Sequence, residues 1–213
     1  MTDVFYFDLA AGELPDAAAL LLPRWRRERY DALKNEQARR ESLAAGLLFA
    51  AAAARRGLSP EEADRAEILP AGKPVLEKRP DVWFSLSHSG RYVLCAVSGA
   101  PVGADVQEIR PASLGIARRF HPDERDWLSR QPEGERLTAF FRLWARKEAW
   151  VKAVSRDRML TLDEADVIHR LPGLVFRDFS LPGGYAAAVC GEEDAPSVLT
   201  ELSAAELLRD LAR

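Results

Sequence analysis

Only two cysteines occur in 213 residues, and Cys95 and Cys190 stand far apart in apolar, strand-like runs with no Cys-x-x-Cys spacing. A disulfide framework and a thiolate metal site are therefore excluded from the reading, which leaves two buried thiols in a reducing compartment. No apolar run is long enough to cross a bilayer. The greasiest, Leu43 to Ala54, is about half of the ~20 residues a span requires, and Arg39, Arg40, Arg55 and Arg56 flank it. The opening residues MTDVFYFDLAAGELP lack a basic region followed by a long apolar core, so no secretion signal is expected. Positive charge is not in surplus either: the formal net charge is -3 and the pI near 5.7. General affinity for nucleic acid or membrane surfaces is not expected, and any anion site must come from local clustering. A Gly-x-Ser-x-Gly nucleophile elbow and low-complexity linkers are absent too. These absences describe a cytoplasmic globular protein.

What remains is ordinary in amount, with 47% hydrophobic and 30% charged residues, enough for one large domain or two small lobes. Val4 to Leu9 predicts an opening strand and Asn35 to Arg56 a long helix. Ser59-Pro60-Glu61-Glu62 has the form of a capping box with proline at the first helical position. After a turn at Gly72-Lys73-Pro74, the runs Val82–Ser87, Tyr92–Val97 and Val102–Gln107 predict a three-strand meander. Short helices are expected over 113–120 and 122–130 and a long one over 133–154. Strands are expected over 167–171, 174–179 and 185–190, and a capped C-terminal helix from Ser203. Each half thus offers a long helix and a group of strands. The fold class is α+β, and this order fits either one large domain or an internal duplication, with an N-terminal lobe (1–101) and a C-terminal lobe (102–213) around a cleft.

Two segments carry the chemistry. Asp105 and Gln107 lie two apart in a strand and share a face, where they can offer a carboxylate and a neutral oxygen to a hard cation. A solvated edge-strand pair is the plainer reading of the same residues. On the long helix, Phe141, Trp144, Glu148 and Val151 align along one stripe, which sets Glu148 among apolar neighbours. Lys152 follows one turn later, within reach of a helix ion pair with Glu148. Ser87 and His88 point to opposite sides of a strand and do not form a nucleophile–base pair. They are either turn residues or contacts to a phosphate. Lys73, in its Gly-Lys-Pro turn, and the basic group Lys34, Arg39 and Arg40 are candidate anion contacts that solvation alone would also explain.

At these residues the chain resembles the Sfp-type 4′-phosphopantetheinyl transferases. The likeness rests on Gly72–Pro74 (GKP), Phe84–Gly90 (FSLSHSG), Pro101–Asp105 (PVGAD), Arg110–Phe120 (RPASLGIARRF) and Trp144–Ala153 (WARKEAWVKA), in order. It implies two similar α+β lobes, a pseudo-twofold duplication, with coenzyme A in the cleft between them. It also implies transfer of phosphopantetheine to a serine of an apo acyl or peptidyl carrier protein, with release of 3′,5′-ADP. The carriers would be those of fatty-acid, polyketide or nonribosomal-peptide synthesis. By position, Asp105 and Glu148 match metal ligands for Mg²⁺, with Mn²⁺ as the alternative, and Lys152 matches the family's active-site lysine. Ser87 and His88 match contacts to the coenzyme A phosphates, and Lys73 and Pro74 match residues near the nucleotide. Arg40, with Lys34 nearby, matches a 3′-phosphate contact. Gln107 stands where the family usually has a third carboxylate. Arg110, Arg118, Arg119 and Phe120 are expected to help dock an acidic carrier. The enzyme is expected to act as a monomer, without nucleic acid or membrane. A phosphohydrolase and a non-catalytic coenzyme A-binding module are the rival classes.

Overall fold

The computed structural model describes residues 1–112, 114–169, 171–193 and 198–211. Fifteen elements follow one another, beginning with β1 (Asp3–Asp8), α1 (Arg24–Ala32), α2 (Glu36–Arg55), α3 (Pro60–Ala63), β2 (Ala66–Ile68), β3 (Pro74–Leu76), β4 (Trp83–Ser89) and β5 (Tyr92–Ser98). Then come β6 (Val102–Glu108), α4 (Pro122–Ser129), α5 (Glu133–Val154), β7 (Val175–Leu181), β8 (Tyr185–Gly191), β9 (Thr200–Glu201) and α6 (Ala204–Leu211). One sheet has the order β4-β5-β1-β9, a second the order β6-β8-β7, and β2 and β3 form a small ribbon. The architecture is mixed α+β.

Alternation along the central strands explains how the sheets stack. In β5, Val93, Cys95 and Val97 face the core around α2, whereas Leu94 and Ala96 face a different core. In β8, Ala186, Ala188 and Cys190 join the core around α5, and Ala187 and Val189 turn to the other side. That shared middle core, which includes Val4, Tyr92, Val102, Ala104 and Val106, packs the two sheets against each other. The order of layers is therefore helix, sheet, sheet, helix. Strands buried on both faces carry no polar alternation, which is why β5 and β8 read as continuous apolar runs.

Most expected elements are present, with Asn35 capping α2 through a hydrogen bond from Ala38 N and both predicted capping boxes formed. Four differences matter. The meander does not form: β6 leaves β5 and pairs with β8 instead, from Val102 opposite Gly191 to Glu108 opposite Tyr185. The stretch expected as a helix from residue 113 is a short 3₁₀ turn, Leu114–Arg119, with Ser113 outside the described residues. Residues 167–169 form no strand, because Val167 N is used by Glu124 Oε1 at 2.7 Å; Arg170 lies outside the described residues. Finally, the chain's last part crosses back, since β9 runs parallel to β1 and Leu202 and Leu207 are buried in the first core. No helix among the described residues is long and apolar enough to cross a membrane.

Candidate active site

The two sheets meet edge to edge through side chains. From Ser85 on, strand β4 carries serine at every second position, and the three hydroxyls accept the backbone N–H groups of alternate residues of β6. Ser85 Oγ takes Ala104 N at 2.9 Å, Ser87 Oγ takes Val106 N at 3.2 Å, and Ser89 Oγ takes Glu108 N at 3.0 Å. Both β4 and β6 are edge strands of their own sheets. The serines thus satisfy an edge that would otherwise be left unpaired.

That seam sets Asp105. Its carboxylate is buried, and Oδ1 accepts hydrogen bonds from Ser87 Oγ at 2.7 Å and from the Lys152 ammonium at 2.6 Å. Its Oδ2 accepts from Gln107 Nε2 at 2.8 Å. Lys152 also donates to Ala104 O at 3.2 Å. The ion pair of Lys152 is therefore made from α5 to Asp105 on β6 and not with Glu148 along the helix.

Helix α5 reaches this point because its inner stripe is small. Ala145, Ala149 and Ala153 are fully buried, and a Cβ on Gly103 would meet Ala149 O at 1.9 Å. The helix backbone lies on the strand backbone, which puts Glu148 beside Asp105. Burial, first, and the charge of Asp105, second, push the Glu148 carboxyl up from the usual carboxylate range, while Lys152 pulls it down. Two carboxylates held together with hard oxygens toward a cleft fit a divalent cation of the Mg²⁺ type. Gln107 donates its amide N–H to Asp105, and its Oε1 is the atom it could offer a cation beside the two carboxylates.

Beside this group opens a cleft of about 700 Å³ between α1, α2, β4, the Gly72 turn and α5. Glu148, Lys152, His88, Lys73 and Pro74 line it. His88 Nδ1 lies 3.0 Å from Glu41 Oε2, and burial lowers its pKa from the ordinary value despite that carboxylate. Lys73 is turned inward. Its ammonium donates to Val102 O at 2.9 Å and Lys152 O at 2.6 Å, and burial, followed by the charge of Arg156, pushes its pKa down to about 8. It clasps the Gly72 turn to β6 and α5 and does not reach for an anion.

Lys34 and Arg40 are not brought to the cleft. Both are exposed, and Arg40 lines a small depression on the other side of α2 with Leu9 and Asp16. Arg39 packs on the Tyr30 ring, 4.1 Å from its centroid. Cations that the sequence reading missed stand in the cleft instead. Arg26 is buried, donates only to Ser42 O at 3.0 Å and Ser42 Oγ at 3.4 Å, and pairs with no carboxylate among the described residues. Burial, with Arg29 next, lowers its pKa to about 10. Arg29 lines the same wall. The signal was the run Arg24–Arg29, four arginines in six residues, whose helix was not anticipated.

The docking residue Phe120 is also corrected. It is 1% exposed and stacks on Phe140 in the second core, because the turn that carries it packs inward onto α5. A separate group, His121, Asp123 and Asp166, brings three ligand-type atoms within 4.8 Å of one another at the start of α4, away from the cleft.

Residues 101–190 match the 4′-phosphopantetheinyl transferase superfamily, a span that holds Asp105, Glu148 and Lys152. The chain is 34% identical over 151 residues to 4′-phosphopantetheinyl transferase Sfp of Bacillus subtilis (strain 168), covering 64% of this chain and 67% of that protein. It is 32% identical over 178 residues to a 4′-phosphopantetheinyl transferase of Bacillus subtilis, covering 83% and 78%. It is 38% identical over 151 residues to 4′-phosphopantetheinyl transferase psf-1 of Bacillus pumilus, covering 63% and 64%. On these similarities the chain belongs to the 4′-phosphopantetheinyl transferases of the Sfp type.

Proposed function

We propose that this enzyme moves the 4′-phosphopantetheine arm of coenzyme A to a serine hydroxyl of an apo carrier protein and releases 3′,5′-ADP. The observation that carries this reading is the meeting of Asp105, Glu148 and Lys152 at one edge of a cleft. A buried, carboxylate-free arginine, Arg26, lines the opposite wall. Carboxylates for a cation, a lysine beside them and uncompensated positive charge across the gap suit a ligand with separated phosphates. We assign the coenzyme's phosphates to Lys152, His88 and Arg26 with Arg29. Pro74 lines the wall nearer the nucleotide, and Lys73, Lys34 and Arg40 are not used for direct contact.

Asp105 and Glu148 would hold Mg²⁺ or Mn²⁺, which when bound neutralises the charge of the pyrophosphate. In the step itself, the carrier serine oxygen bonds to the phosphorus that bears the pantetheine arm. The bond from that phosphorus to the bridging oxygen breaks, and its electron pair leaves on 3′,5′-ADP. Glu148, beside the reacting phosphate in this reading, takes the serine proton. Lys152 spends two of its three N–H donors on Asp105 and Ala104 O. The third is left for the departing phosphate.

We read the molecule as two similar lobes, 1–101 and 102–213, with the tail from Thr200 lent back to the first. It acts as a monomer in the cytoplasm on a protein substrate, with no part for nucleic acid. The test is to incubate the protein with coenzyme A, Mg²⁺ and an apo carrier domain and to weigh the carrier. Gain of one phosphopantetheine, lost in folded Asp105→Ala and Glu148→Ala variants by at least about 100-fold in rate, is expected. Cleavage of coenzyme A without carrier modification would instead indicate a hydrolase, and binding without turnover a coenzyme-binding module.

A further inference from the structure

Ser155 lies just past the end of α5, on the stripe that carries Glu148 and Lys152, and lines the same cleft. It is 4% exposed, and its hydroxyl has no hydrogen-bond partner among the described residues. A buried hydroxyl left unpaired is costly, and in native structures such a group is completed by ordered water or by a bound ligand. The segment around it is tied down: Ala71 N donates to Arg156 O at 3.0 Å and Lys73 Nζ donates to Lys152 O at 2.6 Å. The hydroxyl is thus held in place on a wall fixed from two sides.

Its surroundings indicate what it takes. It stands at the negative pole of a 22-residue helix, which favours a donor over a phosphate. Ala71, Pro74, Val151 and Met159 line the same cleft, and its nearby cations Lys73 and Lys152 already hold protein partners, which favours a neutral group over a charged one. We propose that Ser155 is a specificity-determining contact whose hydroxyl accepts a hydrogen bond from a neutral N–H of coenzyme A. The adenine exocyclic amine and the amides of the pantothenate arm are the two sources of such a group. The assignment rests on the coenzyme A reading of the cleft.

Titration calorimetry of wild type and Ser155→Ala tests it, using 3′,5′-ADP, the counterpart of 3′,5′-ADP that lacks the exocyclic amine, and 4′-phosphopantetheine. If the amine is the donor, the substitution weakens 3′,5′-ADP about five-fold and leaves the amine-free counterpart unchanged. If an arm amide is the donor, the same loss falls on 4′-phosphopantetheine alone. The ligand-free variant should melt no lower than wild type, because an unpaired hydroxyl has been removed. Equal affinities in both proteins for all three ligands overturn the proposal, as does a uniform loss accompanied by a lower melting temperature. Wild-type protein that binds none of the three refutes the coenzyme A reading, and the role of Ser155 falls with it.

Discussion

Glu148 is held where its charge is least welcome, among apolar neighbours and next to Asp105, with no hydrogen-bond donor on its carboxylate among the described residues. A carboxyl whose folded pKa is raised binds its proton more tightly in the folded state. The stability tied to it is present below its unfolded pKa, about 4.5, and is lost as pH rises through the raised folded value. Glu148→Gln removes that loss. Metal-free Glu148→Gln protein should therefore melt above wild type at pH 7, with the gap closing toward pH 4, while carrier modification is abolished. A variant that melts lower than wild type at pH 7 would show that Glu148 is stabilised by a partner in the fold. The sequence showed the apolar stripe around Glu148 plainly. It did not show that Lys152 would pair with Asp105, because the i,i+4 spacing that predicted a helix ion pair says nothing about a strand 47 residues away.

Helix α5 is placed by two contacts of different kinds. Against β6 it needs the absence of a side chain at Gly103, where a Cβ would also meet Ala153 N at 2.5 Å. Backbone atoms cannot step aside as a flexible side chain can, so Gly103→Ala should cost about 3 kcal/mol. That is a fall of roughly 10 °C in melting temperature for a chain of this size. On its other flank, Lys147 and Glu124 form an ion pair with no side-chain exposure, completed by Ala165 O, Val167 N and His121 N. Burial works against both charges, raising the Glu124 pKa and lowering that of Lys147. Lys147→Met leaves Glu124 buried and unpaired, with an expected loss of about 3–5 kcal/mol in urea unfolding. Lys147→Met with Glu124→Leu should recover most of it, since no charge then remains inside. A double variant as unstable as the single one would mean that the backbone groups freed in the loop, and not the charge, carry the cost. The sequence placed α5 correctly at both ends. It could not distinguish Lys147 from a solvated lysine, because the carboxylate that draws it inward lies on α4.

At the scale of the molecule, the cleft exists because two sheets are stitched along their edges by serines 85, 87 and 89. Ser85→Ala leaves Ala104 N–H buried without a partner and should lower stability by about 1–3 kcal/mol in denaturant titration. It should also reduce transfer, since the next serine of the seam, Ser87, holds Asp105. Unchanged stability would indicate that the facing strands are held by the middle core alone.

The sequence by itself determined most of the elements, the carboxylates and lysine of the site and the family, because periodicity, capping and motif order are written in neighbouring residues. Asn35 before α2 and the Ser59 and Ser203 boxes are local chemistry and were legible for that reason. Only the tertiary structure decided that β6 leaves its apparent meander, that Lys73 faces inward, and that Arg26 and Arg29 replace Lys34 and Arg40 at the cleft. Each of these depends on which distant backbone offers a free edge, a carbonyl or a wall. Alternating serines in β4 look like an ordinary half-polar strand until the unpaired edge of β6 is set beside them.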